Sequence, residues 1–110
     1  MKDLTTFYTS KNILFKQINE VLPKQLGSRK KIGIYTATDI KSTYYAIFIV
    51  DAKSRFIRKN ANDLLELFEK LKEFKGHNFK HKELLISSPL CSKAKSFLKD
   101  NEWRVRVDFM

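Results

Sequence analysis

The chain carries one cysteine, Cys91, which excludes an intramolecular disulfide and a cysteine-rich zinc site and fits a reducing compartment. It also has only three glycines and two prolines, so collagenous, linker-like and low-complexity classes are ruled out. With two histidines besides, there is no material for a glycine-rich phosphate loop, a dinucleotide fingerprint or a Ser-His-Asp arrangement. Long apolar runs are missing: the longest, Tyr44 to Val50, is far short of the roughly 20 residues a membrane helix needs. The opening MKDLTTFYTSKN has no apolar signal core. A soluble, cytoplasmic protein with no membrane partner is the expectation. Acids are scarce too, twelve against 22 bases, for a net charge of +10.

What is present is a folded composition. Hydrophobic residues make up 43% of the 110, with nine Phe and four Tyr, and a chain of this length buries roughly two-thirds of its unfolded surface. Residues 1–110 are expected to form one α/β domain. The excess charge is segregated: residues 24 to 59 hold nine bases against Asp39 and Asp51. A concentrated positive field attracts polyanions and releases their counterions, which makes nucleic acid the natural partner class. The alternative is a solvated, lysine-rich surface, since lysines far outnumber arginines.

Leu14, Phe15, Ile18, Val21 and Leu22 fall at helical spacing between Ser10 and Pro23, which predicts a first helix over 10–22. Two strands follow, Lys31 to Thr38 and Thr43 to Val50, joined by the short turn Asp39–Ser42 as an antiparallel hairpin. From Asn60, the spacing of Leu64, Leu67, Phe68, Leu71 and Phe74 predicts a second helix. A strand at Glu83 to Ser87, a helix from Ser92 to Lys99 and a strand at Trp103 to Phe109 complete the order α-β-β-α-β-α-β. In the last strand, Arg104, Arg106 and Asp108 are expected on a solvated face. Right-handed crossovers through the second and third helices make the last three strands parallel, giving a mixed four-stranded sheet flanked by helices.

In such sheets ligands bind beyond the carboxyl ends of the parallel strands. The second strand delivers Asp51, Lys53 and Arg55 to that edge, on one face if its period of two continues. The third delivers Ser87 and Ser88. Composition alone yields about two acid-x-Lys triplets, and the chain has three. Placement at a strand end, not the pattern, singles out Asp51-Ala52-Lys53.

The stretch AIFIVDAKSRF, a helix, and then ELLISSPLCSKAKSFLKDNEWRVRV together resemble the PD-(D/E)XK nuclease superfamily, which includes restriction endonucleases and Holliday-junction resolvases. The resemblance covers roughly residues 10 to 110. It implies a restriction-endonuclease-like core with three strands ahead of the central helix, of which the sequence pattern yields two. It also implies Mg²⁺-dependent hydrolysis of phosphodiester bonds. Asp51 would be the second acid, Lys53 the water-orienting lysine, Asp39 the first acid, and Glu20 an assisting acid in the first helix. The metal ligands are then Asp39, Asp51 and Glu20, and the ion activates water and neutralises charge developing on the phosphate. Nucleic acid, DNA more readily than RNA, is expected against Arg29, Lys30, Lys31, Lys41, Arg55, Arg58, Lys59, Ser87 and Ser88. Two alternatives stay open: a non-catalytic nucleic-acid-binding protein, and a protein-interaction module pairing through an uncovered edge strand as a homodimer.

Other groups carry weaker signals. His77 and His81 are four apart, a spacing that binds zinc on one helix face, with Cys91 as a further ligand. Gly76 and the neighbouring lysines instead favour a loop. Cys91, beside Lys93 and Lys95, is expected to act as a small buried hydrophobe. Tyr35, Tyr44, Tyr45 and Phe56 could stack unpaired bases, or simply pack in the core.

Overall fold

A run as uniformly apolar as YYAIFIV is stable as a strand only when both of its faces are covered, and the fold supplies both covers. The computed structural model describes residues 4–28, 32–51 and 53–107. Its elements are α1 (Leu4–Ser10), β1 (Phe15–Val21), a 3-10 turn (Pro23–Leu26), β2 (Gly33–Asp39), β3 (Tyr44–Val50), α2 (Arg58–Lys75), β4 (His81–Ile86), α3 (Ser92–Asp100) and β5 (Trp103–Arg106). The strands lie side by side in chain order. β1, β2 and β3 are antiparallel neighbours, whereas β3, β4 and β5 run parallel, as the helical crossovers require.

Strand alternation divides the buried side chains between two layers. Ile34, Ala46, Phe48, Leu84, Ile86 and Trp103 meet Leu64, Leu67, Phe68 and Leu71 of α2 and Ala94 and Leu98 of α3. On the opposite face Ala37, Tyr45, Ile47, Ile49 and Leu85 lie under Phe7 and Tyr8 of α1. α2 starts where Asn60 folds back to accept the Ile57 N–H at 2.9 Å, half of a capping box. It stops at Gly76, whose φ of 75° suits a residue without a Cβ.

The helix expected over 10–22 is not there; most of that segment is β1, so the sheet has five strands and not four. A β-bulge explains the misleading periodicity. The β1–β2 register shifts between Phe15 and Gln17, and the extra residue brings Phe15 and Ile18, three apart, onto the α1 side. Val21 points to the α2 side. With β1, three strands precede the central helix α2.

β5 also differs from its expected form. Arg106 does not face solvent: its side chain is only 10% exposed and its Nε donates to Glu83 Oε1 at 2.7 Å. Glu83 is itself buried and accepts the Tyr8 hydroxyl at 2.6 Å on the same oxygen. A carboxylate with two donors is a tolerable buried charge. The three residues tie α1, β4 and β5 together. Asp108 and Phe109 lie outside the described residues.

Candidate nucleic-acid interface at the carboxyl end of the sheet

Parallel pairing of β3 and β4 brings their carboxyl ends together, Val50 opposite Ile86. The Ser87 N–H donates to Val50 O at 3.0 Å, and the Ser87 hydroxyl donates to Asp51 Oδ1 at 2.8 Å. Past the strands the two exits stay side by side, with Phe56 N–H to Pro89 O at 2.7 Å and Cys91 N–H to Phe56 O at 2.9 Å. The expected neighbourhood of the Asp51 and Ser87 segments is therefore real.

α2 and α3 both begin at this rim, and neither has an acid in its first turn. Helix N-termini carry partial positive charge and usually attract Asp or Glu. Here Arg58 and Lys59 open α2, and Lys93 follows the first residue of α3. Each such base costs a few tenths of a kcal/mol to about 1 kcal/mol at a helix start, a cost that a bound anion would reverse. Exposed Lys53 and Arg55 extend the same field. Arg58 is steadied by the Phe97 ring, 4.9 Å from its guanidinium carbon. Lys93 was missed in the sequence, although a base in the first turn of a capped helix is itself a readable oddity.

The other expected residues scatter. Asp39 is in the β2–β3 turn, where its Oδ1 accepts the N–H groups of Lys41 at 2.9 Å and Thr43 at 2.8 Å. This is an Asx-turn role. The register sets it near Thr43, about 26 Å along β3 from Asp51 at 3.3 Å per residue, so the two acids do not share a cation. Lys41 is on that same far turn. Glu20 belongs to a strand and not to a helix, pairs with Tyr35, and is two strands away from β3. On β2, the residue that shares a face with Asp51 near this end is Gly33, the partner of Ile49. Ser88 is buried at 6% exposure, so it is not a surface phosphate contact. Nor does strand periodicity persist as far as Arg55: Phe56 joins the α2-side core, and Arg55 lines a cleft on that side. Arg29, Lys30 and Lys31 lie outside the described residues.

Among the described residues no three His, Cys, Asp or Glu side chains converge as a metal site. Asp51 with the Ser87 hydroxyl supplies one carboxylate and one weak oxygen donor, a set that does not fit Mg²⁺. His77 stacks on Tyr44 at 4.3 Å and His81 on Tyr45 at 4.5 Å; adjacent residues of a strand face opposite ways, so the imidazoles diverge. Cys91 is at the other end of the sheet from both. Its thiol is pulled below the ordinary value first by the backbone N–H groups of Ala94 and Lys93 and then by the charges of Arg55 and Lys93. It is half-buried and not a sealed core residue. Of the four aromatics considered for stacking, Tyr45 and Phe56 are buried, Tyr35 is half-buried and Tyr44 is exposed.

The order α-β-β-β-α-β-α-β about a mixed five-stranded sheet resembles the folds of solved nucleases. The chain is similar to EndoMS in its apo form (TM-score 0.55, 14% identity, covering 96% of this chain and 47% of that one). It is also similar to EndoMS in a complex with double-stranded DNA (TM-score 0.51, 16% identity, 91% and 39%). A third likeness is to a repair endonuclease from Pyrococcus abyssi (TM-score 0.50, 17% identity, 83% and 38%). The chain thus spans less than half the length of each. No protein-family model matches it, and no curated sequence does. Among the described residues no helix is long and apolar enough to cross a membrane.

Proposed function

We propose that the chain is a cytoplasmic DNA-binding protein with the PD-(D/E)XK nuclease fold, which holds the phosphate backbone at the carboxyl rim without completing a cutting centre from its own residues. The observation that carries this reading is the rim itself: two helix starts with no acid in their first turns stand at the carboxyl end of the sheet with Lys53, Arg55, Arg58, Lys59 and Lys93, five bases against Asp51 and Asp63. Such a surface neutralises phosphates and does not read bases. DNA is favoured over RNA because a solved neighbour of similar fold was captured with double-stranded DNA. The donor set argues against hydrolysis, since the β2 residues paired with the end of β3, Gly33 opposite Ile49 and Ile34 opposite Phe48, include no acid.

Incubation with duplex, branched and single-stranded DNA, with Mg²⁺ or Mn²⁺ and separately with chelator, tests both halves. The expected result is binding that persists in chelator, and no cleavage. Metal-dependent cleavage abolished by Asp51→Ala and by Lys53→Ala would overturn the non-catalytic half.

A further inference from the structure

At the end of the sheet away from the rim, Tyr44 opens β3 and is 45% exposed, although it belongs to the longest apolar run in the chain. Its ring lies against that of exposed His77, with centroids 4.3 Å apart and planes inclined by 31°. Phe79 backs both rings, edge-on to Tyr44 at 6.5 Å and tilted to His77 at 4.8 Å, and is itself buried. Two rings in water thus rest on a third in the core. Holding the α2–β4 loop does not require them: Gly76 ends α2 in a left-handed conformation, Phe79 anchors the loop, and the Lys80 N–H donates to Tyr44 O at 3.1 Å. Rings left exposed contribute little to the core; what they offer is flat surface.

The surroundings are cationic. Lys41 and Lys80 are exposed on the two loops beside the rings, the β2–β3 turn and the α2–β4 loop, which together line a shallow cleft against Tyr44. Lys16 reaches the same turn and donates to the Ser42 hydroxyl at 2.8 Å, and Lys75 closes α2. Two acids share this corner. Asp39 has its Oδ1 taken by the N–H groups of Lys41 and Thr43, and Glu73 precedes the end of α2. Four bases around exposed rings suit a polyanion that also has flat apolar faces. Single-stranded nucleic acid has both, since every base has a π-face and stacks on aromatic side chains beside a basic surface. A duplex keeps its base faces within its own stack, and an acidic peptide supplies the charge without the faces.

We propose that Tyr44 and His77 form a stacking platform for the unpaired bases of single-stranded nucleic acid, with Lys41 and Lys80 on its phosphates. The platform is separate from the rim, about 20 Å away along β3 at 3.3 Å per residue, and it rests on the nucleic-acid reading only for the class of partner. Stacking is tolerant of sequence, so no base preference is expected.

Titration of the intact chain with labelled oligothymidylate, which stays single-stranded, tests the platform, with a duplex and polyglutamate alongside. Saturable binding of oligothymidylate is expected, and Tyr44→Ala with His77→Ala should weaken it about tenfold or more while sparing the duplex. Tyr44→Phe, which keeps the ring and loses the hydroxyl, should bind as the parent does. Lys41→Ala with Lys80→Ala should lower the salt slope for oligothymidylate by about 1.4, at about 0.7 per phosphate. Tyr44→Trp should keep the affinity and lose emission on binding, because the native Trp103 is buried and stays silent. Oligothymidylate that does not bind, that binds the folded alanine variant as tightly as the parent, or that polyglutamate matches in affinity would overturn the platform. An unquenched Tyr44→Trp would do the same, whether or not the alanine variant folds. Arg58→Ala with Lys59→Ala separates the two claims: it should weaken duplex binding and spare oligothymidylate, and loss of oligothymidylate there would move single strands to the rim and overturn the platform. If duplex binding instead proves insensitive to these rim changes and to salt, the rim reading fails while the oligothymidylate result stands.

Discussion

Replacing Arg106 with Met should be among the most damaging single changes in the molecule, although the residue is near the end of the chain. Glu83 and Arg106 have side-chain exposures of 3% and 10%, so solvent screens neither. Removing the guanidinium strands a buried carboxylate that still accepts the Tyr8 hydroxyl but has lost its counter-charge, a situation that costs about 3–5 kcal/mol. At about 4 °C per kcal/mol for a chain near this size, the melting temperature should fall by about 12–20 °C. The triple change Tyr8→Phe, Glu83→Leu and Arg106→Met removes all three polar groups with similar volume, and is expected within about 2 kcal/mol of the parent, because apolar replacement of a buried ion pair is often neutral. Urea unfolding followed by circular dichroism reads both. A single variant that loses under about 1 kcal/mol, or a triple variant at least as unstable as the single one, would refute the assignment of Glu83 as a charge held by its two donors.

Other expectations follow from particular side chains. Gly33→Asp should set a second carboxylate on the Asp51 face at a Cα separation of about 8 Å by strand spacings, and calorimetry should detect Mn²⁺ binding at least tenfold tighter than the parent's. Its Cβ would approach Ile49 Cβ to 3.3 Å, so a small local adjustment is part of that expectation, and unchanged Mn²⁺ affinity in a folded variant counts against the placement. Burial, and then the Glu83 carboxylate, hold the Tyr8 phenol above its ordinary value of 10.0. The folded state therefore keeps a proton that the unfolded state releases, and stability is unaffected below about pH 10 and falls as pH rises further; Tyr8→Phe should flatten that alkaline decline. Cys91 should reach half-maximal alkylation below its ordinary value of 9.0, and Arg55→Ala should move that midpoint little, because the backbone N–H groups of Ala94 and Lys93 are the larger cause.

Most of the fold was legible because its periodicities were clean. β2, β3, α2 and α3 fall within a residue or two of where alternation and helical spacing put them, and the parallel pairing of β3 with β4 follows from the crossover through α2. β1 was misread because a bulge makes a strand imitate a helix: Phe15 and Ile18 share a face at a spacing of three, and no single residue announces the extra one. The site was half legible. Asp51 and Ser87 meet as the topology required, but the extension of strand alternation to Arg55 failed where the strand ends and the chain bends. Asp39 illustrates a different limit. An acid at a hairpin turn is as readily a backbone acceptor as a ligand, and only the register, which puts it at the amino end of β3, tells the two apart.

The central claim, that the carboxyl rim is the DNA-binding surface, is tested most directly by fluorescence anisotropy of a duplex between 50 and 200 mM salt. Four or five phosphate contacts give a slope of log K against log salt near −4, a loss of about 250-fold over that range, and each base removed reduces the slope by about 0.9. Neutralising Arg58 and Lys59 together should therefore flatten it by about 2, whereas Lys41→Ala with Lys80→Ala, at the amino end of β3 and β4, should leave it unchanged. A slope that responds to the second pair and not to the first would contradict the account.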